Sequence, residues 1–323
     1  MKRFKCTVIL FFISLFLVSC NKNTETKINY RFADREEGVS LILDNTSYYN
    51  GFSQNDLDYR VQKKGATLDE WLSIAKEQVL DFSEEEKQCI AESIDRIEVI
   101  LDENGYVLPE LDEIIFVKTT MREEIGAGAY THKNQIYMGE SDLGYMLIDD
   151  ERMRQYCDYL MCHEIFHCLT RKNPQFKEDM YRIINFTIQQ EDFEIVPEIH
   201  DVFISNPDVN RHNSYATFTI NGKKMDCFVL WITIKPFENP GESFFDYTTT
   251  GLVPIDHLDT LYTKDDAEDF WDVFGHNTGY VTDPEECMAD NFGYALIYGE
   301  TDMNGQAFDN PEIIEEIQEY LKK

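Results

Sequence analysis

The stretch Leu160–Leu169 reads Leu-Met-Cys-His-Glu-Ile-Phe-His-Cys-Leu, and nothing else in the chain constrains its fold as much. Apart from His163, Glu164 and His167 the segment is apolar all round, and a helix without a polar face is a buried helix. Positions four apart on a helix lie one above the other, so His163 and His167 aim two imidazoles at one point. Glu164, turned about 100° from His163, reaches a water held there. Burying two imidazoles and a carboxylate without partners costs several kcal/mol, so something must satisfy them. His-Glu-x-x-His arises in about one or two random chains of this length per hundred, so spacing alone proves little. The apolar surroundings favour a metal ion over the alternative, a core pair of histidines satisfied within the protein with Glu164 in a salt bridge. Zinc suits the spacing, taking imidazole nitrogen at roughly 2.0–2.1 Å in tetrahedral geometry. The helix itself is predicted over Asp149–Arg171, opened by Asp149-Asp150-Glu151 and closed by Arg171-Lys172-Asn173-Pro174.

A catalytic zinc site needs a third protein ligand. Thr170 and Asn173 stand where the metzincin extension requires Gly and His, so that class is excluded. Downstream, Asp283 and Pro284 have the pattern of an N-cap and first helical residue, which puts Glu286 and Asp290 four apart on one face. Glu286, three residues after Asp283, also fits a capping box in which its carboxylate bonds backbone N–H instead. Glu285 is a rival ligand, although Ala289, four residues on, has no group to support a histidine.

With His163-Glu164-x-x-His167 and Glu286-x-x-x-Asp290 together, the sequence resembles the gluzincin clan of zinc metallopeptidases, the thermolysin-like group. The resemblance implies one Zn2+ per chain held by His163, His167 and Glu286, with Asp290 orienting His163 through its other ring nitrogen. It implies Glu164 as general base in hydrolysis of a peptide or protein substrate. Tyr280, six residues ahead of Glu286, resembles the tyrosine that many gluzincins hold near the developing oxyanion, with His276 as fallback. Substrate would lie along an edge strand above the zinc, for which Gly126, Ala127, Gly128 and Ala129 within Glu124–Tyr130 are the candidates. A plain hairpin with flexible glycines fits the same residues. One departure stands out: 119 positions separate His167 from Glu286, more than in compact gluzincins. Two other functions stay open, a lipid-anchored binding protein of zincin fold with structural zinc, and a zinc hydrolase of a non-peptide bond. The intact Glu164 favours hydrolysis, since a binding protein needs no base beside the metal.

The N-terminus carries a separate message. Lys2, Arg3 and Lys5 precede an apolar run of twelve, Thr7 to Val18, and Leu17-Val18-Ser19-Cys20 follows. Twelve residues are too few to cross a bilayer but suit a signal peptide. Leu-Val-Ser-Cys resembles the lipobox of bacterial lipoproteins, which implies a signal over residues 1–19, lipidation at Cys20, a tether over 20–45 and a membrane-anchored place at the cell envelope. An uncleaved anchor or an ordinary secretory signal are the alternatives. Asp+Glu number 61 against 29 Lys+Arg, and a charge of −32 argues against nucleic acid as a partner. Beyond Cys20, six cysteines remain; Cys157, Cys162 and Cys168 read as small buried groups of one helix, and a Cys227–Cys287 bridge is permitted.

The remaining pattern is α+β. Helical spacing covers 68–104 with a break at Asp81-Phe82-Ser83, and Glu113–Thr119 reads as a strand. Ala127–Tyr130 and Gln135–Met138 read as a hairpin around Thr131-His132-Lys133-Asn134. A short helix over 175–184 precedes β-type runs in 192–255, turned at Asn221-Gly222, and helices return at 265–274, 284–298 and 311–322. The expected organisation is a zincin-like catalytic domain with a mixed sheet: its N-terminal part over 46–175, a β-rich insertion over 176–264, and a helical part over 265–323 bringing the third ligand. His132, His200, His212 and His257 have no motif around them and read as surface or structural.

Overall fold

Two sheets of different character organise residues 26–322, the part of the chain described by the computed structural model. Residues 1–19 and Cys20 lie outside the described residues. The first sheet is mixed. Its centre is β3 (Ile114–Thr119), a β-branched run paired in parallel with β1 (Tyr30–Phe32) on one side and β5 (Gln135–Gly139) on the other. The short β2 (Val79–Leu80) joins β3 antiparallel beyond β1. The antiparallel β4 (Ala129–His132) returns from β5 through Lys133-Asn134 and forms the outer edge.

Tyr30–Phe32 is thus part of the sheet, Ile28 is buried, and Arg35–Leu43 is a helix capped by Asp34. The tether expected over 20–45 is corrected accordingly: residues from 28 onward belong to the fold, because their apolar side chains cover the sheet.

Helices flank this sheet. Leu68–Gln78 and Glu84–Asn104 each open with a capping box, Thr67 with Glu70 and Ser83 with Glu86, and the second ends at Gly105 in the left-handed region. The helix Glu151–Lys172, called here the histidine helix, packs against Glu84–Asn104, against β4 and β5, and most extensively against the helix Pro284–Ile297. Gly293 makes that last approach possible, since a Cβ there would come within 2.7 Å of the Tyr159 ring. The expected α+β class with a mixed sheet is observed.

The second sheet is antiparallel throughout, ordered β10 (Tyr262–Thr263), β9 (Thr248–Pro254), β8 (Lys223–Thr233), β7 (Ser214–Ile220) and β6 (Thr187–Ile188). Asn221 and Gly222, with φ of 54° and 71°, make the tight turn between β7 and β8. One face of this sheet sends Phe218, Cys227, Val229 and Leu252 into the core that also holds Ile165, Phe166, Met288 and Phe292 of the two packed helices. The other face, with Phe228, Leu230 and Ile232, is covered by Ile199 and Phe203. The β-rich region therefore shares one continuous core with the helices. Cys227 and Cys287 are buried free thiols, as are Cys157, Cys162 and Cys168, so the permitted bridge is not formed.

Candidate metal centre

Glu286 leaves the N-terminus of its helix uncapped by its own side chain. Asp283 caps it, accepting from Glu285 N–H at 2.8 Å, while the Glu286 carboxylate turns inward. Its Oε2 lies 3.2 Å from His163 Nε2 and 3.5 Å from His167 Nε2. Two donors about 2.0–2.1 Å from a common tetrahedral ion stand about 3.3 Å apart, so this spacing matches a shared ion. One donor atom from each of His163, His167 and Glu286 falls within 4.8 Å of the others, which makes the trio a group able to hold a metal. His167 and Glu286 are fully buried, and His167 Nε2 and Glu164 Oε2 have no hydrogen-bond partner. Buried polar atoms are almost always satisfied, so two orphans at one point mark a place where something else binds.

Each histidine is held from behind by a different carboxylate. His163 Nδ1 is 2.9 Å from Asp290 Oδ1, and Asp290 is itself fixed by the Tyr159 hydroxyl at 2.5 Å and by Thr278. His167 Nδ1 is 3.2 Å from Glu285 Oε1. Glu285 in turn accepts from Thr170 and Tyr181, both at 2.5 Å, and pairs with Lys177 at 3.1 Å. Consecutive residues of one helix turn thus part company, Glu286 toward the Nε2 atoms and Glu285 toward Nδ1. This partner of His167 escaped the sequence reading, in which Glu285 figured only as a rival ligand. Its signal was the spacing of Glu285 to the histidine helix, which exists only in three dimensions.

The charges respond strongly. Burial pushes both imidazoles toward neutrality, yet the hydrogen bonds that Asp290 and Glu286 accept raise His163 well above its ordinary value. Against the same burial, the charge of Asp208, the hydrogen bond to Glu285 and the nearby Glu286 carboxylate raise His167 to about 9. Glu286 is driven far below the usual carboxylate range by the two histidines, overcoming its own desolvation. Glu164 goes the other way, pushed up to about 8 by burial and by the neighbouring Asp208. The surrounding carboxylates favour positive charge at this point, which a divalent cation also supplies.

Tyr280 sits beside the centre, its hydroxyl 3.2 Å from Glu286 Oε1 and its ring stacked against His163. His276 is elsewhere: exposed, stacked on Trp271. His132 is buried among Tyr48, Tyr130 and Tyr137, His200 bonds the Gly51 carbonyl, His212 packs on Phe203, and His257 is at the surface. The proposed substrate strand needs correction. Of Gly126, Ala127, Gly128 and Ala129, only Ala129 is in β4; the others form a turn after the 3-10 helix Arg122–Glu124, because Ile125 and Gly126 take left-handed backbone and Gly126 N–H closes onto Met121 O at 2.7 Å. Asn206 and Asp208 complete the surroundings. Asn206 donates to Glu286 Oε1, and Asp208 offers an oxygen near Glu164 and His167. Neither residue stood out in the sequence, where Ser205-Asn206-Pro207-Asp208 reads as an ordinary turn-forming stretch.

Comparisons with protein-family models, with curated proteins and with solved structures give no match to this chain. The chemistry of the donors is what speaks for function.

Proposed function

We propose that this protein is a zinc-dependent metallopeptidase of gluzincin type. The observation that carries the reading is the convergence of His163 Nε2 and His167 Nε2 on one Glu286 oxygen at 3.2 and 3.5 Å, beside the unpartnered carboxylate oxygen of Glu164. Two imidazoles and one carboxylate suit zinc better than the all-oxygen shells of magnesium or calcium. When bound, zinc polarises a carbonyl and acidifies water. Glu164 takes the proton of the attacking water on its free oxygen and delivers it to the leaving amine. Asp290 and Glu285 keep the Nδ1 atoms protonated, so both Nε2 lone pairs point at the centre. The Tyr280 hydroxyl turns from Glu286 to donate to the oxyanion.

The mixed sheet, edged by an antiparallel strand beside the histidine helix, supports a zincin-like arrangement. The lipobox-like Leu17–Cys20 supports a lipid anchor at Cys20 and a place at the cell envelope. Among the described residues no helix is long and apolar enough to cross a membrane. The test is Glu164→Gln. It should keep an equimolar metal content and lose about 10²- to 10⁴-fold of the turnover of a peptide-library digest. Full turnover with Gln at this position removes the mechanism.

A further inference from the structure

The two carboxylate oxygens of Glu286 have neighbours of different kinds. Oε2 faces His163 Nε2 at 3.2 Å and His167 Nε2 at 3.5 Å, the side on which an ion would sit. Oε1 turns away and accepts two hydrogen bonds, one from the Asn206 amide and one from the Tyr280 hydroxyl at 3.2 Å. A carboxylate can bind a metal through one oxygen or through both. Donors seated on Oε1 decide for one. That choice matters at a catalytic centre, because a second carboxylate oxygen would take the position kept for water.

Of the two donors, the amide is the firmly fixed one. Asn206 is buried, and its own Oδ1 accepts from Asp208 N–H at 2.9 Å, so Nδ2 is the end presented to Glu286. Pro207 follows directly and narrows the backbone angles open to Asn206. The segment Ser205–Asp208 is moored at both ends. Ser205 N–H donates to Asp56 Oδ2 at 3.0 Å, and Arg60 donates to the Ser205 carbonyl at 2.7 Å. Asp208 accepts from Thr131 N–H at 2.6 Å and from Thr131 Oγ1 at 2.7 Å. Arg171 donates to the Pro207 and Asp208 carbonyls at 3.1 and 2.8 Å. The Tyr280 hydroxyl, by contrast, stands at the end of a single bond to Glu286.

We infer that Asn206 is the positioning residue of the third ligand. It holds Glu286 to one oxygen at the ion, and it lets the Tyr280 hydroxyl leave Oε1 for the substrate without loosening that ligand. The inference rests on His163, His167 and Glu286 being the metal centre.

The experiment uses the full chain loaded with cobalt(II) in place of zinc. Its visible band weakens and shifts when a further oxygen joins a tetrahedral ion. Asn206→Ala, Tyr280→Phe, Thr131→Val and His163→Ala are compared with the wild type, each checked for folding by circular dichroism. Asn206→Ala is left with the phenol bond alone, and its band should weaken and shift. Tyr280→Phe should keep the wild-type band, since the amide holds Oε1 by itself. Thr131→Val loosens the segment at Asp208 but takes no donor from Glu286, so it should keep that band too. A wild-type band in Asn206→Ala overturns the proposal. An equal change in Thr131→Val overturns it as well, by placing the effect in the segment and not in the amide. Should Asn206→Ala fail to fold, Tyr280→Phe still decides: a changed band there shows that the amide alone does not hold Glu286. His163→Ala should lose cobalt. Wild-type cobalt binding by that variant would instead overturn the metal-centre reading, so the two failures are told apart.

Discussion

Two clusters of buried charge lie on either side of Ser205, and they are built on opposite principles. Around Arg60 the guanidinium is fully buried and meets Asp56, Glu124 at 2.9 Å, the Tyr48 hydroxyl at 2.9 Å and the Ser205 carbonyl at 2.7 Å. Its faces rest on the rings of Phe52 and Phe244 at 4.7 and 5.2 Å. That cluster carries its own cation, and its donors are spent on neighbours. At the candidate metal centre Glu164, Glu286 and Asp290 lie beside imidazoles, and among the described residues no Lys or Arg pairs with them. The difference lies in the cation: the first cluster is offset by a permanent guanidinium, the second by imidazoles whose charge a metal ion could replace, and it leaves two buried atoms without partners.

The contrast can be broken from either side. Arg60→Met leaves Asp56 and Glu124 buried without a cation, and should cost about 3–5 kcal/mol in urea unfolding. A loss under about 1 kcal/mol would mean that the cluster is not self-neutralised. Next in size, zinc at 100 times its dissociation constant should raise the unfolding free energy of the wild type by about 2.7 kcal/mol and leave His163→Ala unmoved. Equal stabilisation of both proteins would place the ion elsewhere. Glu285→Gln keeps the shape behind His167 but weakens the acceptor at Nδ1, so zinc affinity should drop about 10- to 100-fold while the metal-free fold persists.

The smallest effect sharpens the contrast through a third site. His212 also has a buried unpartnered nitrogen, its Nδ1, and its ring packs against Phe203. Burial holds its pKa down to about 4, against an ordinary 6.5. The unfolded chain binds this proton first as pH falls, so the stability is present above about 6.5 and is lost as pH drops through about 4. The slope is at most about 1.4 kcal/mol per pH unit. His212→Gln should flatten that slope in unfolding titrations. An unchanged slope would show that the half-buried His212 is not held neutral in the fold.

Much of this was legible residue by residue. The histidine helix could be read because its signals are local: capping acids before it, Pro174 after it, and an apolar ring around His163, Glu164 and His167. The helix Pro284–Ile297 announced itself in the same way through Asp283 and Pro284. The turn at Asn221-Gly222 was equally plain, since few residues accept its backbone angles. Less legible was the edge strand. Its glycines suggested an extended run, but Ile125 and Gly126 fold back onto Met121, and contact with β5 begins only where the Gly128 carbonyl accepts from Gly139 N–H at 3.0 Å.

Local spacing along one helix told which residues would share a face, and so named both imidazoles, Glu164 and a short list of acids. It favoured Glu286 over Glu285 through the spacing to Asp290, but it had no means of seeing that Glu285 backs His167 or of finding Asn206 and Asp208. Those assignments depend on how two helices and a distant segment pack, with Gly293 allowing the close approach and Arg171 and Arg60 mooring the segment. Periodicity encodes direction relative to a single axis; the distance between two axes comes from side chains that meet only after the chain has folded.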